Sequence, residues 1–521
     1  FTPIGIVIAT TDGNSPSVNH FAFLSTPFSP SFSPLVKRGQ YCLVDTFQGQ
    51  IIGLVEEIHI MNNYFHDFQT VKNFTVANLQ VNHFLPSDEW EIQIAEVQVL
   101  GYIHTNKKIE TISSPEEFKM IESSGFPVKP GNQVYLLQGE FLHYFLGFKT
   151  NGLQIGTLNH YSTSVSLDLN RLFNKHVAIL AQSGAGKSYL VSVMLEELLM
   201  RPSSVGTPGM ILIDLHGEYR FLKQKIELNT IDKDKIGEIQ SKIQIINASF
   251  MQIGISDMLP YDFQRYQPNI TYPQLRELQQ ILENLDQNQT RVDLNELCKQ
   301  IEKQTEINSK TQSTLIAWLE DLARLNIFTQ TTKPCITDLI HPGKLTILDF
   351  STILSMRKKQ ILVDFFTKQL FYFRRKRQIA PFILFLEEAH NFLPEKDSKS
   401  AFAKHILETL AREGRKFFAQ LVLISQRPVR LSTTALSQCN THIIMRITNP
   451  YDLNHIKNSS EALTNDSIKI ISSLPTGSVV ILGGATNYPV FFKVRRLLLT
   501  PYRKEISLES ESQSFMPLIH K

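Results

Sequence analysis

The sequence predicts an α/β protein in two dissimilar parts: a small β-barrel over residues 1–155, and over 156–500 a parallel sheet covered by helices. A helical insertion is expected at about 225–335 and a loosely held tail at 501–521. Three observations predict this. The first 150 or so residues are short apolar segments divided by turn clusters, with no long helical period between the early ones. From about residue 155, apolar strands are each followed by helical patterns, as in a sheet with helices on its faces. The loop QSGAGKS joins one such strand to a strong helix and carries the glycine, lysine and serine pattern that grips phosphate.

Composition bounds the class. At 521 residues the chain exceeds what one hydrophobic core supports. With 42% apolar and 19% charged residues it has the make-up of a folded globular protein, not a disordered or fibrous one. No uninterrupted apolar run approaches the roughly 18 residues of a membrane span, so no membrane is expected. A net charge of +3 neither requires nor excludes nucleic acid, because a near-neutral total can hide a local cluster of cations. Cys42, Cys298, Cys335 and Cys439 form no CxxC pair and have no histidine at ligand spacing, which points to a reducing cytoplasm. The opening FTPIGIVIATT has neither the basic region nor the long apolar core of a targeting signal.

In the first part, GIVIATT, HFAFLST, YCLVDT, IIGLVEEIHIM and NQVYLLQ are the candidate strands, with TDGNSPS as one of the turns. In EIQIAEVQVLGYI the alternation Ile92, Ile94 slips by one residue at Val97, Val99, which turns the buried face over unless the strand is bulged. Bulged, curling strands suit a small barrel. It shows no catalytic set, and packing or assembly is its expected role.

In the second part, HVAILA, GMILIDL, KLTILDF, FILFLEE and QLVLIS are the buried strands. The block at 225–335 differs: Leu275, Leu278, Ile281, Leu282 and Leu285 share one helical face, and Leu315, Trp318, Leu319, Leu322 and Leu325 share another. Asp293 and Glu296 read as a capping pair that opens the helix LNELCKQIEK.

The loop residues Ser183, Gly184, Ala185, Gly186, Lys187, Ser188 and Tyr189 are the candidate nucleotide contacts. Backbone amides of a glycine turn and of the following helix N-terminus surround phosphate, Lys187 reaches the β and γ phosphates, and Ser188 binds Mg²⁺. The first glycine of the usual pattern is replaced by Ala181, where the strand runs out and a methyl group is the smallest substitute. FILFLEEAHNFLP then places two carboxylates at the C-terminal end of a buried strand, the ligand side of such sheets. Glu387 is expected in the Mg²⁺ shell, and Glu388 is expected to orient or deprotonate the attacking water. Gln426 ends the strand QLVLIS, where an amide can sense the γ phosphate. Asp214 ends MILIDLHGEY and either reaches the metal-bound water or caps a helix. His390 is a structural histidine or a direct participant. The run RRKRQ, from Arg374, suits phosphate, yet it also ends an apolar helix, where cations are favoured by the helix dipole.

Together GIVIATTDGNSP, HVAILAQSGAGKS, ILIDLHGEY, FLEEAHNF, LAREGRKF, ISQRP, NTHIIMRITNPYD and LPTGSVVILG resemble the HerA family of ATPases, in that order and over nearly the whole chain. The resemblance implies an N-terminal HAS barrel, a RecA-like P-loop ATPase core related to the FtsK DNA pumps, and a homo-hexameric ring. It implies ATP and Mg²⁺ as cofactors and translocation of double-stranded DNA with a NurA-like nuclease, or with a defence effector. It also implies arginines acting across subunit interfaces, for which Arg412 and Arg415 are the candidates, surface ion pairing being the alternative. Lys175 stands where some relatives carry an arginine near the nucleotide. A ring that scaffolds and activates a partner effector, with ATP turnover secondary, is the alternative function; a conjugation or secretion ATPase is weaker.

Overall fold

The computed structural model describes residues 2–9, 15–25, 36–47, 49–62, 72–73, 75–77, 91–104, 121–122, 125–224, 233–288, 290–304, 308–398, 400–459, 465–499 and 512. Most of the turn TDGNSPS and nearly all of the tail after 500 lie outside the described residues. The chain divides into two compact units: Phe1–Asp168 with Thr486–Lys493, and Leu169–Ala485 with Val494–Lys521.

In the first unit six strands close into a barrel. The strands β1 (Thr2–Ile8), β2 (His20–Ser25), β3 (Tyr41–Thr46), β4 (Gly49–Asn62), β5 (Glu91–His104), β6 (Ile121–Glu122) and β7 (Gln133–Leu136) run in the order β2-β1-β7-β3-β4-β5-β6, and β2 pairs with β5 to close the ring. Ile4, Phe23, Val44, Ile51, Val97 and Val134 fill the interior. Bulges occur, but not at the expected place: β4 and β5 shift register at Glu56 and at Leu100. Between them Ala95 and Val97 continue one inward face, and Ile92 and Ile94 belong to the other. The small Ala95, not Ile94, holds the inward position, so the pattern of large apolar residues misplaced the irregularity.

The first unit runs past the boundary expected near 155. It includes the helix Gly139–Phe145 and the antiparallel pair β8 (Leu153–Leu158) and β9 (Ser164–Leu167). Residues 486–493 return to it from far along the chain: Asn487 Nδ2 donates to Phe145 O at 2.7 Å, Tyr488 stacks on Phe145 at 4.6 Å, and Tyr41 Oη donates to Pro489 O at 2.8 Å.

The second unit is built on β10 (His176–Leu180), β11 (Gly209–Asp214), β12 (Ile243–Asn247), β13 (Ile253–Gly254), β14 (Phe328–Thr329), β15 (Leu345–Asp349), β16 (Phe382–Leu386), β17 (Ala419–Ser425), β18 (Cys439–Ile444) and β19 (Ser478–Gly483). Its main sheet has the order β12-β15-β11-β16-β17-β10-β18-β19, parallel from β12 to β18 with β19 antiparallel. The five expected strands are the central five, and every residue of β10, β11, β15, β16 and β17 is buried.

The block at 225–335 is not wholly an insertion. Its segment Ile243–Asn247 is β12, the edge strand of the main sheet, while residues 225–232 lie outside the description. The helices Pro260–Tyr266, Tyr272–Gln287, Leu294–Glu302 and Ser309–Ala323 form the helical part. Leu275, Leu278, Ile281, Leu315, Leu319 and Leu322 are buried, as helical spacing requires, and Leu282, Leu285, Trp318 and Leu325 are partly buried. Asp293 Oδ1 accepts from Glu296 N at 2.9 Å and Glu296 Oε2 accepts from Asp293 N at 3.2 Å, which is the expected reciprocal cap. Among the described residues no helix is long and apolar enough to cross a membrane.

Candidate active site

Because β10, β11, β16 and β17 are parallel, their C-terminal ends share one edge of the sheet, and the loops that follow them meet there. The loop after β10 turns through Gly184 (φ 76°) and Gly186 (φ 103°), left-handed positions that a side chain would strain. A Cβ at Gly186 would also come within 3.2 Å of Met445 Cε. The helix Lys187–Met200 starts immediately afterwards, so its unpaired amides face the turn. Ala181 is not among the left-handed residues, and its amide donates to Ser425 O at 3.3 Å. A methyl group at that position therefore meets no backbone penalty, which is why the missing glycine is tolerated. Gln182 Oε1 accepts from Thr448 N at 3.1 Å and from Thr448 Oγ1 at 2.9 Å, which ties the loop to the segment after β18.

The loop opens on a cleft of about 480 Å³, lined by Gln182, Ser183, Gly184, Gly186, Lys187, Ser188, Tyr189, His216, Glu218, Glu388 and Gln426. A nucleotide fits a cleft of this size. Ala185 is buried behind it, its carbonyl accepting from Gly477 N at 3.2 Å. Tyr189 is held by Leu497 N, which donates to its hydroxyl at 2.7 Å. Lys187 Nζ lies 2.5 Å from Glu388 Oε1 in a nearly buried ion pair. Ser188 Oγ donates to Glu218 Oε2. Glu388 itself adopts a left-handed backbone (φ 45°), uncommon outside glycine, at the turn that ends β16.

His390 Nδ1 is 3.2 Å from Glu388 Oε2 and 3.1 Å from Ser425 Oγ. The ring nitrogen is aligned with the hydroxyl and not with the carboxylate, so Glu388 Oε2 is buried without a hydrogen bond. Burial holds the imidazole below its ordinary pKa, against the opposing pull of Glu388.

Asp214 and Glu387 form the floor behind the cleft. Asp214 Oδ1 accepts from the amides of His216, Gly217 and Glu218 at 3.3, 2.8 and 3.1 Å, and Oδ2 accepts from Tyr219 N at 3.0 Å. These contacts hold a turn and cap no helix, since the 3₁₀ helix Arg220–Lys223 that follows has Tyr219 as its N-cap. Glu387 Oε2 accepts from Leu215 N at 2.9 Å, and burial, then the charge of Asp214, push its carboxyl up to about 9. Glu387 is not among the residues that line the cleft, where a metal contact was expected of it.

Three other expected residues do not meet their own chain's loop. Lys175 precedes β10, at the opposite edge of the sheet. Arg412 ends the helix Lys404–Glu413 and Arg415 lies in the 3₁₀ turn Gly414–Phe417 that leads into β17, again at the opposite edge; both are exposed. The run from Arg374 serves that same turn: Arg374 Nε donates to Phe417 O at 2.6 Å and Arg375 stacks on the Phe417 ring at 5.4 Å. Sequence reasoning missed Gln182, His216 and Glu218. The signal for Glu218 was present in HGEY, a polar turn directly after a buried strand that ends at the ligand side.

The divalent cation that accompanies ATP takes oxygen ligands. The Ser188 hydroxyl and the Glu388 carboxylate line the cleft and are oxygen donors that fit such an ion.

Comparison with known proteins agrees with this geometry. Residues 153–370 match the family described as Helicase HerA, central domain. A protein named as a probable helicase of Methanocaldococcus jannaschii is 30% identical over 88% of this chain and 86% of its own length. The DNA double-strand break repair helicase HerA of Pyrococcus furiosus is 26% identical over 91% of this chain and 90% of its own. That of Saccharolobus solfataricus is 30% identical over 66% and 68%. The structure of VirB4 of Thermoanaerobacter pseudethanolicus shares the fold, with a TM-score of 0.51 at 16% identity, over 68% of this chain and 98% of that one. With the phosphate loop, the carboxylate strand and the barrel in place, the chain belongs to the HerA family and is an ATP-hydrolysing enzyme of the helicase and translocase class.

Proposed function

We propose that the protein is a hexameric, ATP- and Mg²⁺-driven translocase or helicase on double-stranded DNA, working in the cytoplasm with a nuclease partner in DNA end processing or antiviral defence. The observation that supports this reading is the separation of Arg412 and Arg415 from the cleft of their own chain. The phosphate loop, Glu388 and Gln426 share a cleft, while Arg412 and Arg415 stand exposed at the far edge of the sheet. In this reading those arginines serve the nucleotide of another copy, which is what a ring supplies. Named relatives act in DNA double-strand break repair, which favours duplex DNA as the track.

In this reading Lys187 exchanges Glu388 for phosphate. The ion pair at 2.5 Å keeps the glutamate occupied until a γ phosphate claims the lysine; Glu388 is then free to hold the attacking water. Hydrolysis is thereby coupled to nucleotide binding. Gln426, at the end of β17, reads the γ phosphate, and Ser188 and Glu388 would hold the cation, which would supply charge neutralisation at the phosphoryl group. Glu387 supports the turn from behind. An arginine delivered from the neighbouring copy is worth roughly 10³ to 10⁵ in rate.

Mg²⁺-dependent ATPase activity, measured with and without blunt duplex DNA alongside mass determination in the same buffer, tests the reading. Stimulation by duplex DNA in a hexamer-sized species is expected. A monomer whose ATPase ignores DNA at every salt concentration refutes it.

A further inference from the structure

We infer that Glu218 is a third acidic side chain of the nucleotide site, one that holds the hydration shell of the divalent cation bound with ATP, and that Asp214 is the residue positioning it. The inference rests on the nucleotide-site reading above.

The geometry begins in IDLHGEY. Asp214 ends β11 and gathers the backbone amides of His216, Gly217, Glu218 and Tyr219 onto its carboxylate, folding them into a tight turn. Gly217 (φ 74°) is the left-handed residue this turn needs, and a Cβ there would come within 3.3 Å of Arg220 Nε and the Ser351 side chain. Tyr219 is fully buried. Glu218 lies between these two fixed residues, on the cleft side, and its Oε2 accepts from Ser188 Oγ. The hydroxyl proton thus points to Glu218, and the remaining lone pairs of Ser188 are left for a cation. A small divalent ion keeps several waters, and a carboxylate beside its hydroxyl ligand is placed to accept hydrogen bonds from them. Glu387, expected in the Mg²⁺ shell, is buried, bonded to Leu215 N and not among the residues lining the cleft.

The test uses the full chain and two readouts that do not depend on turnover. Binding of a fluorescent ADP is measured in EDTA and in Mg²⁺, and the Mn²⁺ affinity of the ADP complex is read by electron paramagnetic resonance of the free ion. Glu218→Gln keeps an acceptor for Ser188 and is expected to leave ADP binding in EDTA unchanged while weakening Mn²⁺ about 10- to 100-fold, the usual effect of losing an outer-shell partner. Glu218→Asp is expected to recover part of the loss. Wild-type Mn²⁺ affinity in Glu218→Gln overturns the inference. So does an equal loss of ADP binding in EDTA and in Mg²⁺, which marks a merely structural role. If the wild-type chain binds ADP in neither buffer, the nucleotide-site reading itself fails, a result distinct from either of these.

Discussion

Replacing Asp214 with alanine tests the floor of the site, and its cost follows from four hydrogen bonds. The Asp214 carboxylate is fully buried and accepts from His216, Gly217, Glu218 and Tyr219 amides. Tyr219 is buried, so truncation leaves its amide without an acceptor, whereas the amides of His216, Gly217 and Glu218 stand nearer solvent. A hydrogen bond to a charged group contributes about 1.5–3 kcal/mol, and amides that regain water lose about 0.5–1 kcal/mol each, so Asp214→Ala should cost about 3–6 kcal/mol. For the roughly 345 residues of the second unit, an unfolding entropy of about 2.1 cal/mol/K per residue converts this to a melting point lower by about 4–8 °C. Asp214→Asn retains one acceptor but turns an amide donor toward other donors, and should lose about half as much. Thermal unfolding followed by circular dichroism reads both. The reasoning is refuted if Asp214→Ala melts with the wild type, or if alanine and asparagine are indistinguishable.

The other predictions concern the same edge of the sheet. The carboxyl of Glu387 has its pKa raised from 4.5 to about 9, so between these values the folded state holds a proton the unfolded state releases, and its contribution is lost as pH rises toward 9. Glu387→Gln keeps an acceptor for Leu215 N and does not titrate; its unfolding free energy relative to wild type, read by denaturant titration, should climb between about pH 6 and about pH 8.5, by at most about 1.4 kcal/mol per pH unit, and an equal difference at both would show the group ionised. Restoring the missing glycine with Ala181→Gly should leave ADP affinity unchanged and lower stability by about 0.5–1 kcal/mol, because the site asks for no left-handed backbone; tighter ADP binding would contradict that. Lys187→Ala and Arg415→Ala should each be inactive alone, yet mixing and reassembling them should restore about a quarter of the seams, each pairing an intact loop with an intact arginine. No recovery on mixing would place Arg415 outside the active seam.

Much of the fold was legible because its signals are local. The central strands are largely apolar, fully buried runs, and the phosphate loop carries its own glycines, so β10, β11, β15, β16 and β17 could be read directly. The edge strand β12 could not, since QIIN at a sheet edge is only partly buried and sits among helices. The Glu56 and Leu100 bulges escaped because alternation marks large apolar residues and Ala95 is small. The return of residues 486–493 to the barrel unit depends on Phe145, Tyr41 and Tyr488 meeting over hundreds of positions, which no spacing reports. In the site, Lys187, Ser188, Glu388 and Gln426 were found from motif and strand end. That Glu388 lines the cleft and Glu387 does not was not, because which of two adjacent glutamates faces the cleft depends on the left-handed turn at Glu388. A carboxylate followed by a hydrophilic turn, as in IDLHGEY, reads equally as cap or ligand until its amide partners are seen.

Displacement of a third strand from a triplex built on duplex DNA tests the central claim most directly, since it registers ATP-driven movement along the duplex. The wild-type chain should release the strand in the presence of ATP and Mg²⁺, and Lys187→Ala and Glu388→Gln should not. Release without ATP, or ATP turnover by the wild type with the triplex left intact, would contradict the account.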